Sequence, residues 1–369
     1  MRQAVTLLFV LLHCTCVRAQ SDAPRRTENV ILITMDGLRW QELFGGAVDS
    51  LIDSEQYTHD QDRMRADYFD DDPLVRRHLL MPFFWDTLAP RGQVYGDRDA
   101  GSRVDTRNRV WYSYPGYNEI LTGAADDRRV TGNDKVPNPN VTVLEWLNQT
   151  DDYAGRVAAF TSWDVFNWII NEDRSGLPVN AGYDTAAGPD LSDRERYLNK
   201  LQEQAPRLWG GVRPDFLTHN YALAYLGRQH PRVAYIGYGE TDDFAHDGSY
   251  NRYLDAAHAT DAMWRDLWAF LQSDPFYRGK TSLVFVTDHG RGTTPLSEWQ
   301  GHGHDGGVGG EIWLAVVGPD TPARGAVSEG GPLYQDQVAA TVAALLGLDY
   351  RGADGQAGPP VPGITEARK

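Results

Sequence analysis

Five short, almost entirely apolar runs are spread along this chain of 369 residues, and long amphipathic stretches separate them. The runs occupy residues 29–34, 157–160, 232–237, 282–287 and 312–317. Runs this apolar are typical of strands buried on both faces, as in a parallel sheet covered by helices on each side. No hairpin turn sequence joins them. The pattern therefore predicts an α/β fold with a mostly parallel central sheet and helices on both faces.

The stretches between the runs contain the predicted helices. They fall at residues 82–88, 115–122, 143–147, 250–271 and 335–346, and Gly347 closes the last one. The sequence has no internal repeat and no second long apolar segment after its start. We therefore expect a single α/β domain over residues 20–350.

The first nineteen residues have the features of a secretory signal peptide. Arg2 gives the positive start, residues 4–12 the apolar run, and Val17-Arg18-Ala19 a small-residue cleavage site. An apolar run this short cannot cross the hydrocarbon core of a membrane, which takes about 20 residues. We expect an exported protein, periplasmic or extracellular, that is cleaved after Ala19 and has no membrane anchor.

Two other segments depart from the α/β pattern. Residues 49–72 are dense in Asp and Glu, which predicts a solvated surface insertion, with a lid near the functional site as the alternative. Residues 351–369 are rich in Gly and Pro and have few large apolar side chains, so we expect a loose C-terminal tail.

Charge and cysteine content limit the possible partners and ligands. The formal net charge of −16 disfavours nucleic acid or an anionic membrane as an electrostatic partner. A small anionic substrate stays possible, because a bound metal ion can outweigh distant charges. The two cysteines, Cys14 and Cys16, both lie in the predicted signal peptide. A metal site in the mature chain must therefore use histidine and carboxylate ligands.

Three of the apolar runs lead directly into acidic residues. Asp36 follows the first run, Asp242 follows the run at 232–237, and Asp288 follows the run at 282–287. An aspartate after a strand is most often a helix cap or a turn residue. The carboxyl ends of strands in an open α/β sheet, however, border the ligand crevice. Three separate segments thus bring carboxylates to one edge of the predicted sheet.

Histidines stand close to these aspartates in the sequence. His246 is four residues after Asp242, His289 comes directly after Asp288, and a later Gly-rich loop carries His302 and His304. Carboxylate and imidazole together are expected for zinc or a similar transition metal, whereas an all-oxygen set would indicate calcium or magnesium. Three Asp and three His suffice for two divalent metal ions that clamp the attacking and leaving oxygens of an in-line displacement.

The candidate nucleophile is Ser113, in the segment Trp111-Tyr-Ser113-Tyr-Pro115. It precedes a proline and a predicted helix, so its hydroxyl would lie at a helix N-terminus, where an anion is favoured. Plain N-capping of that helix is the alternative role.

The order of these motifs resembles the alkaline phosphatase superfamily, and most closely its nucleotide pyrophosphatase/phosphodiesterase-like branch. The resemblance covers residues 30–348. Residue by residue it implies two ligand sets: Asp36, Asp288 and His289 for one metal ion, and Asp242, His246 and His302 for the other. His304 competes with His302, but the segment His302-Gly-His-Asp fits the family pattern His-Gly-x-Asp.

The resemblance implies a hydrolase that acts on small-molecule phosphoesters through a phosphoseryl intermediate at Ser113, with two divalent metal ions, Zn²⁺ favoured. The phosphodiesterase segment Thr-Phe-Pro-Asn-His reads Ser-Tyr-Pro-Gly-Tyr here, which leaves the substrate class open. A sulfatase is one alternative, although Tyr117 stands where the sulfatase motif Cys/Ser-x-Pro-x-Arg has arginine. An inactive binding protein on the same fold is another, although no ligand or nucleophile is missing.

The residues after the second apolar run bear on substrate choice. Related monoesterases carry Lys and Arg there, whereas this chain has Trp163 and Val165, and we expect Trp163 to pack against an apolar ester group. Asn133 lies close to where phosphodiesterase relatives place an Asn that donates to a phosphoryl oxygen, with a turn role as the alternative. Unless Arg174 or a lysine reaches the site, these features favour phosphodiesters or pyrophosphates, with an alkaline phosphomonoesterase as the alternative.

Overall fold

The computed structural model describes residues 25–303 and 309–365, so the predicted signal peptide and His304 lie outside the described residues. The strands are β1 (Asn29–Met35), β2 (Gly92–Tyr95), β3 (Val104–Asp105), β4 (Val157–Thr161), β5 (Val179–Ala181), β6 (Val233–Tyr238), β7 (Thr281–Val286), β8 (Glu311–Ile312), β9 (Leu314–Val317), β10 (Gly325–Ala326) and β11 (Leu333–Tyr334).

The α-helices are α1 (Trp40–Gly45), α2 (Asp49–Ile52), α3 (Gln61–Tyr68), α4 (Pro73–Leu80), α5 (Ser113–Thr122), α6 (Val143–Asn148), α7 (Phe166–Ile169), α8 (Glu172–Ser175), α9 (Asp193–Gln204), α10 (Asp215–Gln229), α11 (Glu240–His246), α12 (Tyr250–Ser273) and α13 (Val338–Leu345). Shorter helical segments are a π-helical turn at Phe84–Leu88 and 3₁₀ turns at Ala89–Arg91, Leu296–Gln300 and Gln335–Gln337.

The main sheet has the strand order β10-β2-β9-β7-β1-β6-β4-β5, and β3, β8 and β11 form a small second sheet. Within the main sheet β9 is antiparallel to both of its neighbours, and every other pairing is parallel. The predicted mostly parallel α/β fold is therefore confirmed.

Alternate side chains of β1 face two separate cores. Ile31 and Ile33 belong to the core that α10 and α12 cover, and Val30 and Leu32 belong to the core that α5, α6 and α13 cover. Helices therefore lie on both faces of the sheet, as predicted, which explains why the central strands lack a polar face.

Several predicted elements have different bounds in the structure. The run at 312–317 is divided at the buried Trp313, whose indole N–H donates to the carbonyl of Leu38 at 2.9 Å. Its two parts enter different sheets, as β8 and β9. The helix predicted at 82–88 is only the π-helical turn, and the helix predicted at 115–122 begins two residues earlier, at Ser113.

The acidic segment 49–72 is more than a solvated insertion. Its carboxylates are mostly exposed, but Leu51 and Met64 have no exposed surface and lie in the core. Arg63 also pairs with Asp255 of α12 at 2.7 Å. A few apolar side chains spaced along an acidic segment are thus enough to fix it to the sheet-covering helices.

The C-terminal segment also packs more firmly than its composition predicts. Val361 and Ile364 are each 2% exposed and belong to the second core. The backbone N–H of Val361 donates to Thr341 Oγ1 at 2.9 Å. Over its described residues the predicted loose tail is therefore partly anchored. In the part of the chain that the structure describes, no helix is both long and apolar enough to cross a membrane.

Candidate active site

The three strands that precede the acidic residues are neighbours at the centre of the sheet, in the order β7-β1-β6. Asp36 follows β1 and donates its backbone N–H to the carbonyl of Tyr238 at the end of β6. Asp288 lies two residues beyond β7, and Asp242 lies in the first turn of α11, which begins just after β6. Because parallel strands end at a common edge, the three carboxylates lie together.

The first group consists of Asp36, Asp288 and His289, all buried. His289 Nε2 lies 3.3 Å from Asp36 Oδ1 and 3.3 Å from Asp288 Oδ2. The other carboxylate oxygens are held by Tyr117 Oη, which donates to Asp36 Oδ2 at 2.9 Å, and by the Gly37 N–H, which donates to Asp288 Oδ1 at 3.1 Å.

Asp36 Oδ1 and Asp288 Oδ2 are buried and accept no hydrogen bond from any described residue. Burial raises the pKa of Asp36 well above its usual range, and the charge of Asp242 adds to the effect. Burial and the charge of Asp36 do the same to the pKa of Asp288. Buried carboxylates without donors are normally paired or bound to a metal ion. These residues therefore fit a divalent cation.

The second group consists of Asp242, His246 and His302. His246 Nε2 lies 3.2 Å from Asp242 Oδ2 and 2.9 Å from His302 Nε2. His302 Nε2 lies 3.6 Å from Asp242 Oδ1. Asp242 and His246 share one face of α11 because they are four residues apart. The side chain of His246 is 48% exposed, so this group opens to solvent.

The two groups adjoin through stacked imidazoles. The rings of His289 and His302 lie 3.6 Å apart at an angle of 10°. Ligand atoms of Asp242, His289 and His302 also lie within 4.8 Å of one another. His289 Nε2 is nevertheless nearer to Asp36 and Asp288 than to Asp242 Oδ1, which is 3.7 Å away. We therefore assign His289 to the first group.

Backbone carbonyls fix both buried imidazoles with Nε2 directed to the carboxylates. His289 Nδ1 lies 3.1 Å from the carbonyl of Gly290, and His302 Nδ1 lies 2.7 Å from that of Trp111. Burial lowers the pKa of both histidines, so each is neutral, with Nδ1 donating and a lone pair on Nε2. This tautomer is the one that binds a metal ion through Nε2.

Arg291 neutralises part of the charge of Asp242. The buried Arg291 guanidinium donates to Asp242 Oδ1 and to the carbonyls of Gly37 and Gln300. Burial would raise the pKa of Asp242, but Arg291, with a contribution from His246, lowers it well below its usual range. Asp242 is therefore ionised, as a metal ligand must be.

Ser113 is the first residue of α5, and the cap position is occupied by Tyr112, so the serine does not have the geometry of the N-cap. Its side chain is buried, and Ser113 Oγ lies 3.3 Å from His289 Nε2. Gly116 permits this approach, since a Cβ there would be 2.4 Å from the carbonyl oxygen of Asp288. The hydroxyl thus borders the first group.

Sequence reasoning missed three supporting residues. Tyr117 is four residues after Ser113, on the same side of α5, and this spacing was a usable signal. Arg291 follows Asp288 by three residues, but its pairing with Asp242 depends on the tertiary fold. Trp111 has a positive φ of 54°, which is strained for tryptophan and aims its carbonyl at His302.

Of the two predicted substrate-binding residues, Asn133 contacts α5 directly and Trp163 reaches it only through Phe166. Asn133 Oδ1 accepts from the backbone N–H of Tyr114 at 2.9 Å, so Asn133 is fixed beside Ser113. The half-buried Trp163 packs 6.3 Å from Phe166, whose ring lies 4.5 Å from that of Tyr117.

Comparison with known proteins identifies the fold. No family model matches the chain, and no curated protein matches it by sequence. Wild-type alkaline phosphatase PafA is similar in structure, with a TM-score of 0.62 at 11% identity over 94% of this chain and 100% of that one. The 2-O GAG sulfatase BT1596 has a TM-score of 0.56 at 12% identity over 93% of this chain and 76% of that one.

A protein in the alkaline phosphatase superfamily from Vibrio parahaemolyticus has a TM-score of 0.51 at 13% identity, over 88% of this chain and 69% of that one. The chain therefore has the alkaline phosphatase-like fold that the sequence resemblance implies. These neighbours include both a phosphatase and a sulfatase, and they do not single out the nucleotide pyrophosphatase/phosphodiesterase-like branch.

Proposed function

We propose that this protein hydrolyses phosphoric esters with Ser113 as the nucleophile and two divalent cations, zinc favoured, held by the two groups described above. One observation carries the proposal: Ser113 Oγ lies 3.3 Å from His289 Nε2, beside the buried Asp36 Oδ1 and Asp288 Oδ2, which accept no hydrogen bond from any described residue. The six side chains offer the mixed carboxylate and imidazole set that zinc prefers.

Cations bound there would lower the pKa of the Ser113 hydroxyl and stabilise the leaving oxygen. Ser113 Oγ gives up its proton and forms a bond to phosphorus as the P–O bond of the ester breaks, and the alcohol leaves with a proton. Water then cleaves the phosphoserine, which regenerates the hydroxyl and releases the phosphate product. Tyr117 holds Asp36 in place, and the carbonyls of Gly290 and Trp111 hold the two buried imidazoles. Such fixed orientation is what electrostatic stabilisation of a transition state requires.

Phosphodiesters or pyrophosphates are the favoured substrates. Trp163 and Val165 supply no positive charge after β4, and Arg291 is committed to Asp242. Arg174 pairs with the buried Glu145 at 2.7 Å. None of these four side chains therefore offers a dianionic monoester a charge-assisted contact, each of which is worth about 1.5–3 kcal/mol. Small-molecule esters suit the acidic chain better than nucleic acid.

A sulfatase is less favoured because of Tyr117. In the sulfatase motif this position is arginine, whereas here the Tyr117 hydroxyl donates to the candidate ligand Asp36. Residue 117 thus orients a candidate metal ligand and lacks the arginine side chain of the sulfatase motif.

The proposal is tested by elemental analysis of the purified protein, combined with turnover of a nitrophenyl phosphate diester, its monoester and a nitrophenyl sulfate. We expect about two transition-metal ions per chain. We also expect a kcat/KM for the diester at least about tenfold above that for the monoester, and no sulfate turnover. Full activity with one metal ion, or with calcium alone, would contradict the two-metal proposal.

The other outcomes of this test separate the alternatives. A hundredfold preference for the monoester would identify an alkaline phosphomonoesterase. Metal binding without turnover of any ester would identify a binding protein on the same fold.

We further propose that the chain is exported and cleaved after Ala19, on the basis of the signal peptide features of residues 1–19. N-terminal sequencing of protein recovered from the periplasm or medium should find Gln20 as the first residue. Recovery of the intact chain from the cytoplasm would contradict export.

A further inference from the structure

Lys135 lies on a loop that is fixed to the start of the nucleophile helix. Asn133 Oδ1 accepts from the backbone N–H of Tyr114 at 2.9 Å, and Tyr114 Oη donates to the carbonyl of Val136 at 2.7 Å. Both contacts are made by the residue directly after Ser113. The backbone of Lys135 is therefore held between two attachments at the border of the candidate active site.

The partner of Lys135 is Asp164, on the segment after β4. Lys135 Nζ lies 2.7 Å from Asp164 Oδ2. Gly182 and Gly211 pack closely against Asp164. A Cβ atom added to Gly182 would lie 2.5 Å from Asp164 Cβ, and one added to Gly211 would lie 3.0 Å from Asp164 Oδ1. Its backbone N–H also donates to the carbonyl of Gly211 at 2.9 Å. The carboxylate is thus fixed next to Trp163, the predicted substrate contact.

Three arginines are committed to other partners. Arg291 holds Asp242, Arg174 pairs with the buried Glu145, and the fully buried Arg213 donates to Thr218 Oγ1 and backbone carbonyls. The side chain of Lys135 is 47% exposed.

Two weak contacts hold the Lys135 ammonium group: the ion pair with Asp164 and the ring of Trp168, whose centroid is 5.2 Å from Nζ. A cation over an aromatic ring at an exposed site contributes about 0.5–1 kcal/mol. The side chain of Asp164 is 28% exposed, and an exposed ion pair contributes only about 0–1 kcal/mol. A lysine on a flexible stem can therefore leave such a partner for an anionic ligand.

We propose that Lys135 and Asp164 together select the charge of the phosphoryl group. Lys135 turns from Asp164 to one anionic oxygen of a singly charged phosphodiester. The Asp164 carboxylate keeps its position and repels the second negative charge of a monoester dianion. Discrimination between diester and monoester therefore rests on a repulsive group as well as an attractive one. This inference rests on the proposed phosphoester hydrolase function and names the residues that set its substrate class.

The test uses the metal-loaded protein and the variants Asp164→Asn and Lys135→Met. Asp164→Asn keeps the shape of the side chain but removes its charge, so we expect the monoester-to-diester ratio of kcat/KM to rise about tenfold. Lys135→Met should lower kcat/KM for the diester about tenfold, because a charge-assisted contact is lost. The exposed Asp152→Asn is the matched control and should leave both values unchanged.

Calorimetric binding of inorganic phosphate gives a second readout. Asp164→Asn should tighten phosphate binding and Lys135→Met should weaken it, whereas a merely structural pair would shift both variants in the same direction. An unchanged substrate ratio in Asp164→Asn, with the wild type active on phosphoesters, would overturn this inference alone. A wild type inactive on every phosphoester would overturn the proposed function and this inference together.

Discussion

Replacing Ser113 with alanine should remove turnover, by about a thousandfold or more, while leaving folding and metal content intact. Ser113 Oγ borders His289 Nε2 at 3.3 Å and belongs to neither ligand group. It is not at the cap position of α5, so its loss does not remove a helix cap. The measurement is the initial rate on the diester, with elemental analysis and thermal unfolding of the same preparation.

Two variants control for this result. Ser113→Thr should keep partial activity, because it retains a hydroxyl at the same place. Ser175→Ala removes another buried hydroxyl, in α8, and should keep the wild-type rate. If Ser113→Ala keeps the wild-type rate, there is no phosphoseryl intermediate, and water attacks the ester directly.

The centre of the fold was predictable because it depends on short-range patterns. Apolar runs predict parallel strands, and the strands that run into Asp36, Asp242 and Asp288 are neighbours, in the order β7-β1-β6. Parallel strands end at a common edge, so a one-dimensional pattern was enough to bring the three carboxylates together. Asp242 and His246 share a helix face because they are four residues apart, but the helix itself, α11, was not predicted.

Contacts between distant segments were not predictable in this way. The approach of α5 to Asp288 depends on Gly116, and the pairing of Arg291 with Asp242 depends on a loop path that no local pattern encodes. Composition was also a poor guide to the C-terminal segment. Two apolar residues, Val361 and Ile364, anchor a segment that its Gly and Pro content predicts to be loose. The choice between His302 and His304 stays a prediction.

Removal of the metal ions should abolish activity and lower the unfolding temperature by roughly 10 °C. A ligand at a thousand times its Kd stabilises the folded state by about 4 kcal/mol. In a domain of this size each kcal/mol corresponds to only about 1.5 °C, so two ions bound this tightly together account for the shift. Without cations the buried oxygens of Asp36 and Asp288 have no donor, so the folded state carries either the repulsion of the two carboxylates or the cost of protonating them. Thermal unfolding with and without a chelator, followed by readdition of zinc, measures the effect.

Asp288→Asn separates this account from a general effect of the chelator. The amide has nearly the shape of the carboxylate but no charge, so the metal-free variant should unfold at a higher temperature than the metal-free wild type. The same variant should bind fewer metal ions, show little further stabilisation by zinc, and have no turnover. Asp152→Asn removes an exposed charge instead and should behave as the wild type in both states. A metal-free Asp288→Asn protein less stable than the metal-free wild type would mean that the carboxylate is satisfied by the protein itself, and that the cluster around His289 is a structural network without a cation.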